Sequence, residues 1–403
     1  MIHYISASGP GDAWVVNELE IIDRSGIPFR LHALRTPAST FHSSQWGKKL
    51  QSVTSAIYPL GLQDCVAILL APFRYRGRFF GALWNALTGE RESLRNRIVC
   101  FLHLFIAAAW VTRIRKSGTP VMHIHSQWIH SPGSVGFYGA WLLGVSFSFT
   151  GHAADIYRER VALRDKIRRA KFINCISTYH QQFFLEHGAR PEQLRLVYCG
   201  IDVTRFSPAP LPLRSQGLKI RSSGRLVEKK GFSVLIRACG ILRDRKIPFE
   251  CIIGGSGPLE SELRKEVESL GLSSQVSITG KAIKQEEIPA FAQSGNVYCL
   301  ACVWAKDNDV DGLPQMLMEA MACGLPSIST RLVGIPDLVI DGETGLLVSP
   351  ESAEELADAI VRLQDDSLAT KLALAGRKHV LDKFEIERAL IPLINEYRLL
   401  LKS

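Results

Sequence analysis

Apolar, β-branched runs alternate with helically spaced apolar positions along the whole of the 403 residues. In the first half these runs fall at 3–6, 29–34, 121–125, 145–150, 172–177 and 194–198. The second half repeats the theme at 218–223, 250–254, 276–279, 297–300 and 327–330, each followed by a loop and usually a helix. Strands that alternate with helices predict parallel sheets. The length exceeds the roughly 100 to 200 residues of one ordinary domain, so two doubly wound α/β domains facing a central cleft are expected. Between them Pro208, Pro210 and Pro212 exclude regular structure and mark a linker. The expected domains are 1–200 and 217–383, with 201–216 as the hinge. Beyond Ser352 the pattern is almost wholly helical, and the last stretch, 384–403, is expected to pack back on the first domain.

With 46% hydrophobic and 22% charged residues and no low-complexity tract, the chain is expected to be globular throughout. Its opening, 1–10, lacks the basic and apolar blocks of a signal peptide and reads as a first strand, which gives a cytoplasmic expectation. The most apolar stretch, 98–111, is interrupted by His103 and falls below the roughly 20 residues that span a bilayer. Nine scattered cysteines fit buried reduced thiols. Cys299-x-x-Cys302 has no second pair to complete a zinc site, so packing is its expected role.

The net charge of +9 is concentrated, with nine Arg or Lys between Arg74 and Lys116 against only Glu90 and Glu92. Phe73, Tyr75, Phe79, Phe80 and Trp84 interleave with the arginines. Two readings stand side by side. The segment settles on an anionic membrane at its inner face, or it is a solvated basic helix packed by its apolar side. No recognised motif accompanies the charge, so nucleic acid is not an expected partner.

In parallel sheets ligands collect outside the carboxyl ends of strands, and four such loops carry unusual residues. Asp311-Gly-Leu-Pro-Gln-Met-Leu-Met-Glu predicts a helix over 313–323, with Pro314 in its first turn and Gly324 after its end. The free N–H groups of such a terminus, at Gly312 and Leu313, suit a phosphate or a sugar hydroxyl. Asp311 and Glu319 add carboxylate acceptors, although a cap Asp and a helix Glu are commonplace. Gly224-Arg-Leu-Val-Glu-Lys-Lys-Gly places Arg225 and Lys230 around a turn that opens a helix. Two fixed cations there would stabilise a departing diphosphate without a metal; a surface basic turn is the plain alternative. Gly151-His152 ends an apolar strand, so the imidazole is either a cleft hydrogen-bonding group or a satisfied core residue. Gly254-Gly-Ser-Gly-Pro-Leu, with Gly255 and Gly257, lacks the full dinucleotide fingerprint and suits a tight turn beside a base. Asp307-Asn308-Asp309 spells a metal-binding Asp-x-Asp, but its place before the Asp311 helix argues against that use, and no metal ligand is expected.

Four segments, 224–232, 254–259, 311–322 and 334–348, resemble glycosyltransferase family 4, the retaining enzymes of the GT-B fold, in order and spacing. His123-Ile-His-Ser, Phe-Thr-Gly-His-Ala-Ala-Asp-Ile-Tyr at 149–157 and Tyr198-Cys-Gly-Ile-Asp extend the likeness to bacterial exopolysaccharide and colanic-acid-type enzymes. The resemblance implies transfer of a hexosyl group from a nucleoside-diphosphate sugar, a substrate and not a cofactor, to a glycan or lipid-linked acceptor. It implies Arg225 and Lys230 on the diphosphate, Glu319 on the ribose, Asp311 with Gly312 and Leu313 on the sugar, and His152 on the reacting sugar. Gly255 and Gly257 join the donor side; Gly11, His125 and Asp155 are the first domain's loop or acceptor candidates.

Two departures stand out. The family's paired glutamates read Asp311 and Glu319 here, one methylene shorter at the first. The loop 7–12 lacks the family's tandem glycines, which leaves its role open between donor and acceptor. A GT-B-type sugar-nucleotide epimerase and a non-catalytic sugar-nucleotide-binding protein remain alternatives.

Overall fold

The computed structural model describes residues 1–11, 13–35, 45–158, 160–210, 212 and 217–402. The chain divides into two compact units, Met1–Val197 with Leu390–Ser403, and Tyr198–Ala389.

The first unit is built on seven parallel strands: β1 (Ile2–Ser6), β2 (Phe29–Ala33), β3 (Ser55–Ala56), β4 (His123–Gln127), β5 (Ser146–Gly151), β6 (Ala170–Cys175) and β7 (Leu194–Leu196). Their order is β3-β2-β1-β4-β5-β6-β7, so the winding reverses between β1 and β4. Ile2 lies opposite both Phe29 and His123. β4 begins two residues later than its apolar pattern predicts, because its side chains are polar and still buried. His123 bonds Ser146 Oγ and Ser148 Oγ, both at 2.6 Å. His125 bonds Ser148 Oγ at 2.7 Å and Thr150 Oγ1 at 3.1 Å. Pairing across the strands removes the cost of burying these groups.

Two long helices, Leu62–Thr88 and Leu94–Lys116, pack on this unit. The second is long and apolar enough to cross a membrane by length and composition, which the interrupted run at 98–111 does not suggest. Its residues from Leu104 to Ile114 are mostly buried in the core, which accounts for that composition. The unit closes with the helix Ile391–Lys402, anchored by the Arg195–Glu396 ion pair at 2.5 Å and by Tyr397 packed on Tyr4 and His125.

The second unit holds β8 (Leu218–Ser223), β9 (Phe249–Gly254), β10 (Val276–Ile278), β11 (Val297–Leu300), β12 (Ser327–Thr330) and β13 (Leu346–Val348). The order β10-β9-β8-β11-β12-β13, again parallel, reverses between β8 and β11. The final helix starts later than 384. Ile201 N–H donates to the Phe384 carbonyl at 2.9 Å and Ile386 N–H to the Ile201 carbonyl at 3.0 Å, so these residues form an isolated bridge with Ile201. Residues 384–389 therefore belong to the second unit. Of the hinge segment, 201–210 is irregular apart from a single turn at Val203–Arg205, and 211 and 213–216 lie outside the described residues.

Candidate functional site

The reversal between β8 and β11 leaves the loops after these two strands side by side, and the expected donor residues all leave from them or from β9. After β8 the chain turns at Gly224 (φ 152°), passes exposed Arg225, and makes a tight turn at Glu228–Lys230 before the helix Phe232–Asp244. Gly231 (φ 65°) lets that turn touch the β11 exit: a Cβ there would lie 1.7 Å from the Ala301 carbonyl oxygen. Val303 N–H then donates to the Lys229 carbonyl at 3.0 Å. The glycine loop after β9 is fastened to the same turn. Leu226 N–H donates to Ser256 O at 2.9 Å, and a Cβ on Gly255 would meet Gly224 O at 1.9 Å, one on Gly257 Leu226 O at 2.5 Å. These glycines are thus required for loops to meet backbone to backbone.

The knitted loops bring opposite charges together. Lys230 Nζ lies 2.5 Å from Asp311 Oδ2, and Lys229 Nζ lies 3.3 Å from Asp311 Oδ1 and 3.1 Å from Asp309 Oδ2. Burial would raise the Asp311 carboxyl, but the two lysines outweigh it and hold the pKa below the ordinary value. Burial likewise opposes the charge on Lys230, and Asp311 more than offsets it. Asp309, half of the Asp-x-Asp, is engaged by Lys229. Among the described residues no group of three or more His, Cys, Asp or Glu is arranged to hold a metal.

The helix after Asp311 runs Gln315–Ala322, two residues shorter at its start than predicted, because Pro314 takes the cap position with ψ 115°. Gly312 O accepts from Gly334 N–H at 3.1 Å, and Leu313 is buried. Glu319 projects from this helix and is 5% exposed. Its Oε2 has no hydrogen-bond partner. Burial pushes its pKa up to about 7, against the pull of Arg205 and Lys230. A buried carboxylate oxygen without a donor, in a cluster of cations, is an acceptor waiting for hydroxyls.

The first unit has its own reversal, between β1 and β4. Gly11 ends the turn Gly9–Gly11 after β1, and the next residue of that loop, 12, lies outside the described residues. His152, after β5, packs against Trp14 and Trp128 with ring centroids 5.5 and 4.7 Å away. Its Nε2 meets Gln127 Oε1 at 3.3 Å, while Gln127 Nε2 donates to Glu18 Oε1 at 2.6 Å. Gln127 thus ties the imidazole to Glu18, whose carboxyl burial pushes up to about 7. Burial lowers the His152 pKa to about 4, and the imidazole is neutral.

Of the other first-unit candidates, one needs correction. His125 is fully buried with both ring nitrogens bonded inside the sheet, so it offers nothing to an acceptor. Asp155 is also fully buried, accepting from Ile129 N–H at 2.8 Å and His152 N–H at 3.2 Å. These bonds, both to Oδ2, fix the His152 loop, while Oδ1 has no hydrogen-bond partner. Sequence reasoning passed over Lys229, although it adjoins Lys230, and Gln127, which closes β4 two residues beyond the end of its predicted run.

The profile described as "Glycosyl transferases group 1" matches residues 204–379. The putative colanic acid biosynthesis glycosyltransferase WcaL of Salmonella typhimurium is 34% identical over 342 residues, covering 79% of this chain and 80% of that protein. This chain belongs to the group 1 glycosyl transferases. The Escherichia coli WcaL protein is 37% identical over 212 residues, 51% of this chain. That match spans only 52% of the Escherichia coli protein's length. The structure of Anabaena HepE in complex with UDP and glucose superposes with a TM-score of 0.69 at 16% identity, covering 99% of both chains. At that identity the likeness shows the fold, the two-unit α/β arrangement called GT-B. Membership gives the group 1 transferase its family; the roles of its residues rest on the geometry above.

Proposed function

We propose that this chain transfers a sugar from a nucleoside-diphosphate sugar to a glycan or lipid-linked saccharide, retaining the anomeric configuration. The observation that carries the reading is the orphan Oε2 of Glu319, whose carboxyl feels the charge of the Lys230 that pairs with Asp311. The colanic-acid names of two relatives and the UDP and glucose of the Anabaena structure agree with it. Glu319 would accept from ribose hydroxyls, Arg225 and Lys230 would hold the diphosphate, and Asp311 would exchange its lysine contacts for sugar hydroxyls. As the sugar–phosphate bond breaks, the acceptor oxygen bonds the anomeric carbon. The leaving phosphate takes the acceptor proton on the face it departs from, which keeps the configuration. The cations of the 225–230 turn supply the charge a metal would otherwise bring. In the first unit His152 takes part in turnover as a neutral hydrogen-bonding group.

The test is a thermal-shift panel of UDP-, GDP-, ADP- and dTDP-sugars, followed by acceptor-dependent turnover with and without EDTA. One donor should raise the melting temperature, and Arg225→Ala should reduce its use about tenfold to a hundredfold. An isomerised sugar formed without acceptor would replace transfer by epimerisation. Loss of turnover on chelation would overturn the metal-free part.

A further inference from the structure

Eleven of the nineteen large hydrophobic side chains exposed among the described residues fall between Leu62 and Leu102. They are ordered. In the first half of the helix Leu62–Thr88, Leu62, Val66, Leu69, Leu70 and Phe73 share one face, while Asp64, Ala67, Ala71 and Tyr75 face the core. A kink at Arg76 (φ 45°, ψ −126°) divides the helix, and its second half repeats the pattern with Phe80, Trp84 and Leu87 outside and Phe79, Ala82 and Ala86 inside. The next helix adds Leu94, Ile98 and Leu102, one face over two turns. Phe73 is 78% exposed, Trp84 70% and Leu94 74%. A helix packed on a domain ordinarily turns a polar face to water, and an apolar patch of this extent marks an interaction surface.

The charge around the patch has one sign. Arg74, Arg76, Arg78 and Arg95 are exposed beside these side chains. The acids in the same stretch are consumed by the fold. Asp64 holds Arg113, Glu90 pairs with Arg164 and Arg168, and Glu92 accepts from Ala162 N–H and Leu163 N–H, both at 2.9 Å. The hairpin is pinned as well: Tyr75 Oη bonds Thr112 Oγ1 at 3.0 Å, and Arg97 donates to the Leu87 carbonyl. A second copy of this chain would set the same arginines against one another. An anionic bilayer meets both features, with acyl chains for Leu, Phe and Trp and headgroup phosphates for the arginines.

We infer that the paired helices Leu62–Thr88 and Leu94–Lys116 dock this protein on an anionic phospholipid surface, lying on the bilayer and not through it. The inference stands apart from the catalytic reading, since it needs no residue of the second unit.

The test is flotation of the full chain with vesicles of phosphatidylcholine alone or mixed with phosphatidylglycerol, at low and high salt. Binding should require phosphatidylglycerol and weaken as salt rises. Reversing Arg74→Glu or Arg95→Glu should each lower the partition coefficient about fivefold, and Phe73→Ser with Trp84→Ser more than either. These positions are exposed, so an unchanged melting temperature shows that the fold is kept. Brominated lipid should quench tryptophan fluorescence, and less so in Trp84→Phe. Equal binding to neutral and anionic vesicles, or none to either, overturns the proposal. So does a dimer in solution that the Phe73→Ser, Trp84→Ser double variant separates, with no vesicle binding by the parent.

Discussion

Replacing Glu319 by Gln should stabilise the protein while disabling it. The carboxyl is 5% exposed with one oxygen unpartnered, and burial raises its pKa from 4.5 to about 7. A raised carboxyl favours the folded state while protonated, below its unfolded value of 4.5, and that stability is lost as pH climbs to about 7. Keeping the group ionised in the folded chain at about pH 8.5 therefore costs about 3 kcal/mol, against less than about 1 kcal/mol near pH 5. Glutamine does not titrate. The advantage of Glu319→Gln should grow by about 2.5 kcal/mol between these two conditions, or about 5 to 10 °C in melting temperature for a unit of this size. Any fixed cost of seating the amide cancels in that difference. Calorimetric melting at both pH values reads it, and titration with the stabilising nucleotide should show binding about tenfold weaker than the parent at the higher pH. A pH-independent difference in melting temperature would refute the buried, unpaired carboxylate, and undiminished nucleotide binding would refute its role.

Three further outcomes are expected. Lys230→Met and Asp311→Asn should each destabilise, and the double variant should lose less than their sum by about 1 to 3 kcal/mol, because each single change strands a buried charge; additive melting shifts would dissolve the pair. Gly231→Ala must place a Cβ 1.7 Å from the Ala301 carbonyl and adopt a φ of 65°, so it should cost more than about 3 kcal/mol in denaturant melts, and a wild-type midpoint would contradict the loop contact. His152→Gln should lower kcat about tenfold to a hundredfold by the same factor at every pH from about 5.5 to 8.5, since an imidazole with a pKa near 4 is neutral throughout. A change in profile shape would show that this histidine titrates during turnover.

The limits of the sequence reading follow from where polar residues are buried. β1, β8 and β11 announce themselves because their apolar side chains face a core, and two parallel sheets follow from such runs. β4 is legible only in part, its run at 121–125 falling two residues early, since His123 and His125 are stabilised by Ser146, Ser148 and Thr150 on the neighbouring strand, partners that no local pattern links to them. The same cause misplaced His125 among acceptor residues: motif spacing reports that a histidine is present, and only the cross-strand bonds report that both its nitrogens are taken. Lys230 and Asp311 were legible as a cation and an acceptor, yet 81 positions apart their contact depends on Gly231 letting one loop rest on another. By spacing Glu319, like Asp311, was weak evidence, one helical glutamate among many. The structure adds a buried oxygen without a donor, and an absent partner is a property of the surroundings that the residue's own neighbours in the chain do not encode.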